Sequence, residues 1–123
     1  MTLEELYAKI GGDYAQALRT LRLEKLIDKH IRKLPDNAIF SELVNAGKAM
    51  DATRIFESAH AIKGVSANLG LNNLSALAAT ICDEFREGRA RTMTDAEVAD
   101  KIDDLDTLFQ MASKAIRAYE SSL

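Results

Sequence analysis

The sequence predicts an all-α fold, an antiparallel four-helix bundle with one or two additional short N-terminal helices. Apolar residues recur at intervals of three and four in successive segments, which is the spacing of one face of an α-helix. No segment rich in Val, Ile or Thr alternates apolar and polar residues with the period of a half-buried strand. The 123 residues include one proline and six glycines, so few residues interrupt helices. This length suits one compact domain, which we expect residues 1–123 to form.

Six helical segments are predicted in chain order, at residues 2–10, 13–34, 37–46, 51–69, 71–86 and 95–120. The apolar stripe of the second segment changes phase near Leu21 to Leu23, which leaves open a bend, a short break or one curved helix. Pro35 ends that segment, because the residue before a proline disfavours the helical conformation. Asp36 is the predicted cap of the third segment, and Gly47 is its predicted end.

The predicted domain has a four-helix bundle at its centre. Gly70 ends the fourth segment and the fifth starts directly after it, so the two should form an antiparallel hairpin that Gly88 closes. Thr94 and Glu97 form a capping-box pattern at the start of the last helix. An apolar seam typical of a bundle helix then continues over three heptads. Its members are Val98, Ile102, Leu105, Phe109, Ala112, Ile116 and Tyr119.

Composition and charge disfavour several classes of protein. No run of 18 apolar residues exists, so we expect no membrane insertion, and the N-terminus lacks the apolar core of a secretory signal. The formal net charge is −3, and the nearest approach to a basic patch is Arg86, Arg89 and Arg91, which disfavours nucleic-acid binding. The lone Cys82 allows no internal disulfide and is compatible with the reducing cytoplasm, where we expect the protein.

His60 is the candidate functional residue, because its helix presents it opposite the apolar side. At about 100° per residue, the apolar residues of this helix share one face. The residues that cluster on this face, Ser66 among them, are Ile55, Ala59, Ile62, Val65, Ser66 and Leu69. His60, Lys63, Gly64 and Ala67 project from the other side, so Lys63 supplies a positive charge next to the histidine. A glycine inside a helix costs roughly 1 kcal/mol relative to alanine, and Gly64 therefore indicates a need for access beside the imidazole.

The chemistry that suits such a histidine is phosphoryl transfer. Imidazole has an ordinary pKa of about 6.5, so its neutral form, with one unprotonated nitrogen, is common at neutral pH. The phosphoramidate that forms stays reactive enough to pass the phosphoryl group onward. Such a site requires exposure, a nearby cation and room for the donor. An exposed histidine alone is usually an ordinary solvated surface residue. The fixed offsets of Lys63, Gly64 and Gly70 from His60 favour phosphotransfer instead.

The string His60-Ala61-Ile62-Lys63-Gly64-Val65-Ser66-Ala67-Asn68-Leu69-Gly70 resembles the signature of histidine-containing phosphotransfer (HPt) domains. In that signature Lys-Gly follows the histidine at the third and fourth positions, and a stretch of small residues then leads to Leu-Gly. Ile62 stands where family members often have leucine, which leaves the chemistry unaffected. The resemblance implies a helical bundle whose His60 accepts a phosphoryl group from a receiver-domain aspartate and donates it to another. It also implies that Lys63 neutralises the phosphoryl group and that Gly64 permits docking.

The resemblance also implies partners and cofactors. The partners would be receiver domains of response regulators and a hybrid sensor histidine kinase. The receiver would supply the aspartyl phosphate and Mg²⁺, so we expect a phosphocarrier with no metal or cofactor of its own rather than an enzyme. Because the 123 residues contain no ATP-binding or receiver module, we expect a free-standing, monomeric carrier whose attacking atom is His60 Nε2. Docking would bury Ala67 and Phe56, although Phe56 could equally cover the edge of the bundle.

Two other functions remain open from the sequence. One is a non-catalytic helical adaptor that binds a receiver or a kinase without accepting phosphate, against which Lys63 and Gly64 argue. The other is the phosphoacceptor domain of a chemotaxis-type kinase. His30 is expected to be structural or partly exposed, and Cys82 to face the core. With two histidines and one cysteine, neither a zinc site nor a Cys-His nucleophile pair has much support.

Overall fold

The computed structural model describes all 123 residues, which form seven α-helices and no strand. The helices are α1 (Leu3–Ile10), α2 (Tyr14–Leu21), α3 (Glu24–Lys33), α4 (Ile39–Ala49), α5 (Ala52–Asn68), α6 (Asn72–Glu84) and α7 (Asp95–Ser121). A 3-10 turn, Leu34–Asp36, follows α3 directly. The predicted all-α class is confirmed. None of the seven helices combines the length and the apolar character needed to cross a bilayer.

The four longest helices form the bundle. α5 packs against α4 and α6, and α7 packs against the same two helices, which closes the arrangement. Two residues connect α4 to α5 and three connect α5 to α6, and connections this short make neighbouring helices antiparallel. The N-terminal helices cover the outside: α1 and α3 pack against α7, and α2 packs against α5. The helix that carries His60 therefore has α2, α4 and α6 as neighbours.

The helical segment predicted at residues 13–34 is interrupted between α2 and α3. Of the bend, break or curved helix that the sequence left open, the structure therefore shows a short break. Arg22 has a φ of 73°, outside the helical region, and its N–H closes α2 on the Leu18 carbonyl at 2.8 Å. The phase change in the apolar stripe explains the break, because the two helices turn different faces to the core. Ala17 is buried from α2, and Ile27 and Ile31 are buried from α3. Three short helices therefore precede the bundle, instead of one or two.

Two predicted helix starts are confirmed by their hydrogen bonds. Asp13 caps α2, since its carboxylate accepts the Gln16 N–H at 3.0 Å. Thr94 and Glu97 form the predicted capping box: each side chain accepts the backbone N–H of the other, at 3.1 and 3.0 Å. These bonds satisfy donors that the first turn of a helix leaves unpaired.

The predicted cap of α4 is wrong. Asp36 lies in the 3-10 turn, and its carboxylate accepts from the Arg117 guanidinium of α7 at 2.8 Å. The N-cap position is occupied by Ala38, which forms no side-chain cap, and the side-chain oxygen of Asn37 before it accepts the Ile39 N–H at 3.1 Å. The sequence placed the helix start two residues too early.

Gly47 does not end α4, which continues to Ala49 and stops at Met50 in the left-handed conformation (φ 49°). A Cβ added to Gly47 would lie 2.6 Å from Cδ1 of Ile102 on α7. This glycine therefore lies where α4 and α7 approach closely, and it does not terminate a helix. Similarly, α6 ends at Glu84, before the predicted boundary, and Gly88 lies in the following loop.

The core confirms the apolar faces that the sequence predicted. Every member of the α7 seam is buried, and on α5 the predicted stripe is buried except for Val65, which is half-buried. Cys82 is buried on α6, as expected. At the turn between α5 and α6, Gly70 has a φ of 69°, and its carbonyl accepts the Asp13 N–H at 2.8 Å. That bond fixes the start of α2 to the hairpin that carries His60.

Candidate functional site

His60 lies on the solvent side of α5. Its residue is exposed, whereas Ile55, Ala59 and Ile62 of the same helix are completely buried. No protein group forms a hydrogen bond or an ion pair with the imidazole. An exposed, unbonded imidazole keeps a nitrogen lone pair available to a reactant whenever the ring is neutral.

The Phe56 ring stacks on the His60 ring from one helical turn before it. The ring centroids are 5.9 Å apart and the ring planes differ by 13°. Phe56 is half-buried and packs against the edge of the core. The guanidinium carbon of Arg86, at the end of α6, lies 5.8 Å from the Phe56 centroid, which is within cation–π range. Phe56 therefore joins His60 to the end of α6.

Lys63 follows one turn after His60 and is half-buried at the α5–α6 contact. Its backbone carbonyl accepts the Ser75 hydroxyl of α6 at 3.2 Å, which fixes the relative position of the two helices. Lys63 forms no ion pair, so its charge is free to meet an incoming anion. The positive charge of Lys63 also acts on Asp83. The pKa of Asp83 is lowered mainly by the hydrogen bond from Arg86, and Lys63 makes a smaller contribution.

Gly64 is exposed and open. A Cβ built on this residue would have no neighbour within 4 Å. The structure thus offers no packing reason for a glycine here, in contrast to Gly47, where a Cβ would overlap a core side chain. The open position lies beside His60, because residues four apart are neighbours on one face of a helix.

Ala67 continues the same face and is half-buried under α2. Its carbonyl accepts the Gln16 side-chain amide at 3.3 Å, and the Gln16 oxygen accepts the Asn72 amide at 3.1 Å. One side chain of α2 thus bridges the C-terminal turn of α5 and the first turn of α6.

The structure brings together all five residues predicted for the site: Phe56, His60, Lys63, Gly64 and Ala67 lie along one side of α5. It adds residues from neighbouring helices that the sequence analysis did not assign to the site, namely Gln16, Ser75, Asp83 and Arg86. The sequence contained a signal that could have indicated Arg86. A hairpin that folds at Gly70 places residues at similar distances on either side of the turn next to each other, which pairs Phe56 with Arg86.

The other candidates lie elsewhere. His30 is exposed on α3 and lines a cavity of about 270 Å³ against the C-terminal half of α5. Cys82 faces the core, and burial raises the pKa of its thiol. No group of three or more His, Cys, Asp or Glu residues is placed to hold a metal ion.

Fold and site together define a helical-bundle protein that presents a histidine beside an unpaired lysine and an open glycine position. The family model of the Hpt domain matches residues 21–115, which is more than half of the chain, and the protein belongs to this family. Hpt domains are phosphocarriers that act in histidine phosphotransfer of two-component signalling, where they interact with receiver domains and kinases. No curated protein and no solved structure matched the chain significantly.

Proposed function

We propose that this protein is the phosphocarrier of a two-component phosphorelay and that His60 carries the phosphoryl group between receiver-domain aspartates. One observation supports this most strongly: an unbonded imidazole, an unpaired ammonium and an open helix position occur together on one exposed turn. Each is common alone. Their combination meets the three requirements of a phosphoryl acceptor that works on another protein's phosphate.

His60 Nε2 is the attacking atom, because it lies farther from the helix backbone than Nδ1. Its lone pair forms the P–N bond to the phosphorus of an aspartyl phosphate. The bond from phosphorus to the carboxylate oxygen breaks, and its electron pair stays on that oxygen. The Nδ1 proton can leave to water, and the reverse sequence delivers the phosphoryl group to the next aspartate. No group of this chain needs to be oxidised or reduced.

Lys63 stabilises the transferred group through its charge. The phosphoryl oxygens carry negative charge throughout the transfer, and an ammonium on the same helix face compensates it. Because Lys63 has no carboxylate partner, no existing ion pair must break before it can do so. Arg86 adds positive charge at the neighbouring helix end, although Asp83 offsets part of it at 2.8 Å.

The partner docks over the exposed side of α5, where Gly64 and Ala67 leave room and Phe56 forms the border. A receiver domain supplies the aspartyl phosphate and the Mg²⁺ that activates it, so the carrier uses no metal or cofactor of its own. A hybrid sensor histidine kinase stands upstream, and the carrier works as a cytoplasmic monomer. Residues 1–123 act as one domain in this proposal.

The test is a transfer assay with a phosphorylated receiver domain, comparing wild type with His60→Gln and the matched variant His30→Gln. Wild type and His30→Gln should take up a label that is stable in base and labile in acid, as expected for phosphohistidine. His60→Gln should take up none. Label on His60→Gln would overturn the assignment. Receiver binding without label on the wild type would instead favour a non-catalytic adaptor.

A further inference from the structure

We propose that Phe56 is a positioning residue that holds the His60 imidazole in the orientation needed for phosphoryl transfer. The inference rests on the proposed phosphotransfer at His60 and assigns Phe56 a role within the protein itself, in addition to any contact with a partner. Its basis is the stacked pair of rings, with centroids 5.9 Å apart and planes within 13° of parallel. This separation falls in the range where aromatic pairs attract each other beyond simple burial.

Phe56 can hold another side chain because it is itself held. It is half-buried, packs against the core edge, and has the Arg86 guanidinium 5.8 Å from its ring centroid. Arg86 in turn donates to the Asp83 carboxylate at 2.8 Å. A series of contacts from α6 therefore supports the Phe56 ring. The His60 imidazole, by contrast, has no hydrogen bond to either nitrogen that would restrain it.

The consequence of the stack concerns the orientation of the ring. A solvent-exposed histidine samples several staggered rotamers, and its second torsion is broad. The Phe56 ring, with its centroid 5.9 Å away and its plane within 13° of parallel, limits the torsions that the imidazole can adopt. Because the Nε2 lone pair lies in the ring plane, a restricted ring also restricts the direction of that lone pair before the partner arrives. Pre-orientation of a reactant lowers the entropic part of the barrier to its reaction.

A docking contact and a positioning contact predict different kinetics. If Phe56 only touched the receiver, its loss would raise the receiver concentration needed for half-maximal transfer. If Phe56 orients His60, its loss lowers the maximal rate at saturating receiver and leaves the half-saturating concentration unchanged. The two roles can therefore be separated in one titration.

The experiment compares wild type with Phe56→Leu, which keeps apolar volume without a ring, and Phe56→Tyr, which keeps the ring. NMR of the isolated protein gives the first measurement. Protons of His60 that lie over the phenyl face are shifted upfield by its ring current, and they should show a nuclear Overhauser effect to the Phe56 ring. The shift should disappear in Phe56→Leu and persist in Phe56→Tyr. His30, the only other histidine, is the internal control and should not change.

Single-turnover transfer from a phosphorylated receiver gives the second measurement. The maximal rate should fall roughly two- to tenfold in Phe56→Leu and stay within about twofold of wild type in Phe56→Tyr. An unchanged rate in Phe56→Leu, or a change in half-saturation alone, overturns the positioning role. Wild-type protein without the His60–Phe56 Overhauser effect overturns it also, whether or not the variants fold. If the wild type takes up no label while the ring-current shift is present, the proposed function is overturned, and the contact between Phe56 and His60 is confirmed.

Discussion

The two histidines of this chain lie in similar local sequences and in different surroundings. His30 on α3 and His60 on α5 are both exposed, and each has a lysine three residues later. The fourth residue differs: Leu34 is buried, whereas Gly64 is exposed and has open space around it. Since residues four apart share a helix face, His30 lies at the margin of a buried face and His60 lies in the middle of an exposed one.

In the function that we propose, exposure and a neighbouring cation are therefore not sufficient to make a histidine the phosphoryl acceptor. His30 borders a cavity between two elements, so another protein would meet the walls of that cavity together with it. On α5, the position one turn after His60 is open instead, because a Cβ on Gly64 would have no neighbour within 4 Å. The residue four positions before each histidine differs as well. The aromatic ring of Phe56 stacks on His60, whereas Leu26 takes the corresponding position before His30.

The largest effect is expected from filling the open position. Gly64→Gln places a side chain where a receiver must approach, and we expect the transfer rate to fall by roughly two orders of magnitude. Ala52→Gln adds a similar side chain to an exposed residue at the start of α5 and should leave transfer unchanged. Single-turnover assays with a phosphorylated receiver measure both. Normal transfer by Gly64→Gln would show that the open position is not used for access.

The second-largest effect on the transfer rate is expected from Lys63, compared with the matched Lys33. Lys63→Ala should slow transfer roughly tenfold, because charged hydrogen bonds to the phosphoryl oxygens are lost. The matched change Lys33→Ala, beside His30, should have no effect on the rate. Equal losses in the two variants would mean that general positive charge, and not the position of Lys63, assists the reaction.

A smaller effect concerns stability and compares the two glycines inside helices. Gly64→Ala should raise the free energy of unfolding by about 0.5–1 kcal/mol, since alanine is the better helix former and the added methyl group meets nothing. Gly47→Ala should give a smaller gain than Gly64→Ala, because the new Cβ would overlap Cδ1 of Ile102 on α7 and that side chain would have to shift. Urea denaturation followed by circular dichroism measures both. A destabilised Gly64→Ala would reveal a packing role for that glycine.

The smallest effect depends on pH and concerns the loop after α6, on the His60 side. The buried Glu84 carboxylate accepts the Met93 N–H at 2.7 Å and the Thr92 hydroxyl at 2.9 Å. The backbone bond from Met93 is the main reason that its pKa lies below the ordinary value of 4.5. The stabilisation that the ionised Glu84 carboxylate provides is therefore complete above pH 4.5. It is lost as the pH falls through the lower pKa of the folded state.

Glu84→Gln should accordingly be less stable than wild type at pH 7, and the difference should shrink as the pH falls below the ordinary pKa of 4.5 and through the lower pKa of the folded state. Denaturant titrations at several pH values provide the measurement, with Glu87→Gln, an exposed residue of the same loop, as the control. A difference that stays constant with pH would show that the charge of Glu84 does not hold the loop.

Most of the fold follows from apolar spacing and capping residues, as the confirmed Thr94–Glu97 capping box and the buried α7 seam show. The errors arose where a distant residue decides the outcome. Gly47 looks like a helix end in sequence, and only the approach of Ile102 from α7 explains a glycine inside the helix. The candidate site shows the same division. Residues on α5 itself were found from their periodicity, whereas Arg86 lies just after α6 and needs the register of the hairpin.

The hydrogen bonds of Gln16 have a consequence for how such a carrier could diversify. Gln16 lies outside residues 21–115, the part of the chain that the family model describes, yet it joins α2 to Ala67 and Asn72 beside the proposed docking face. Substitutions on the outer side of α2 would change the border that a partner meets and leave His60 and Lys63 untouched. Partner choice could thus evolve in the first twenty residues while the chemistry of the relay stays constant.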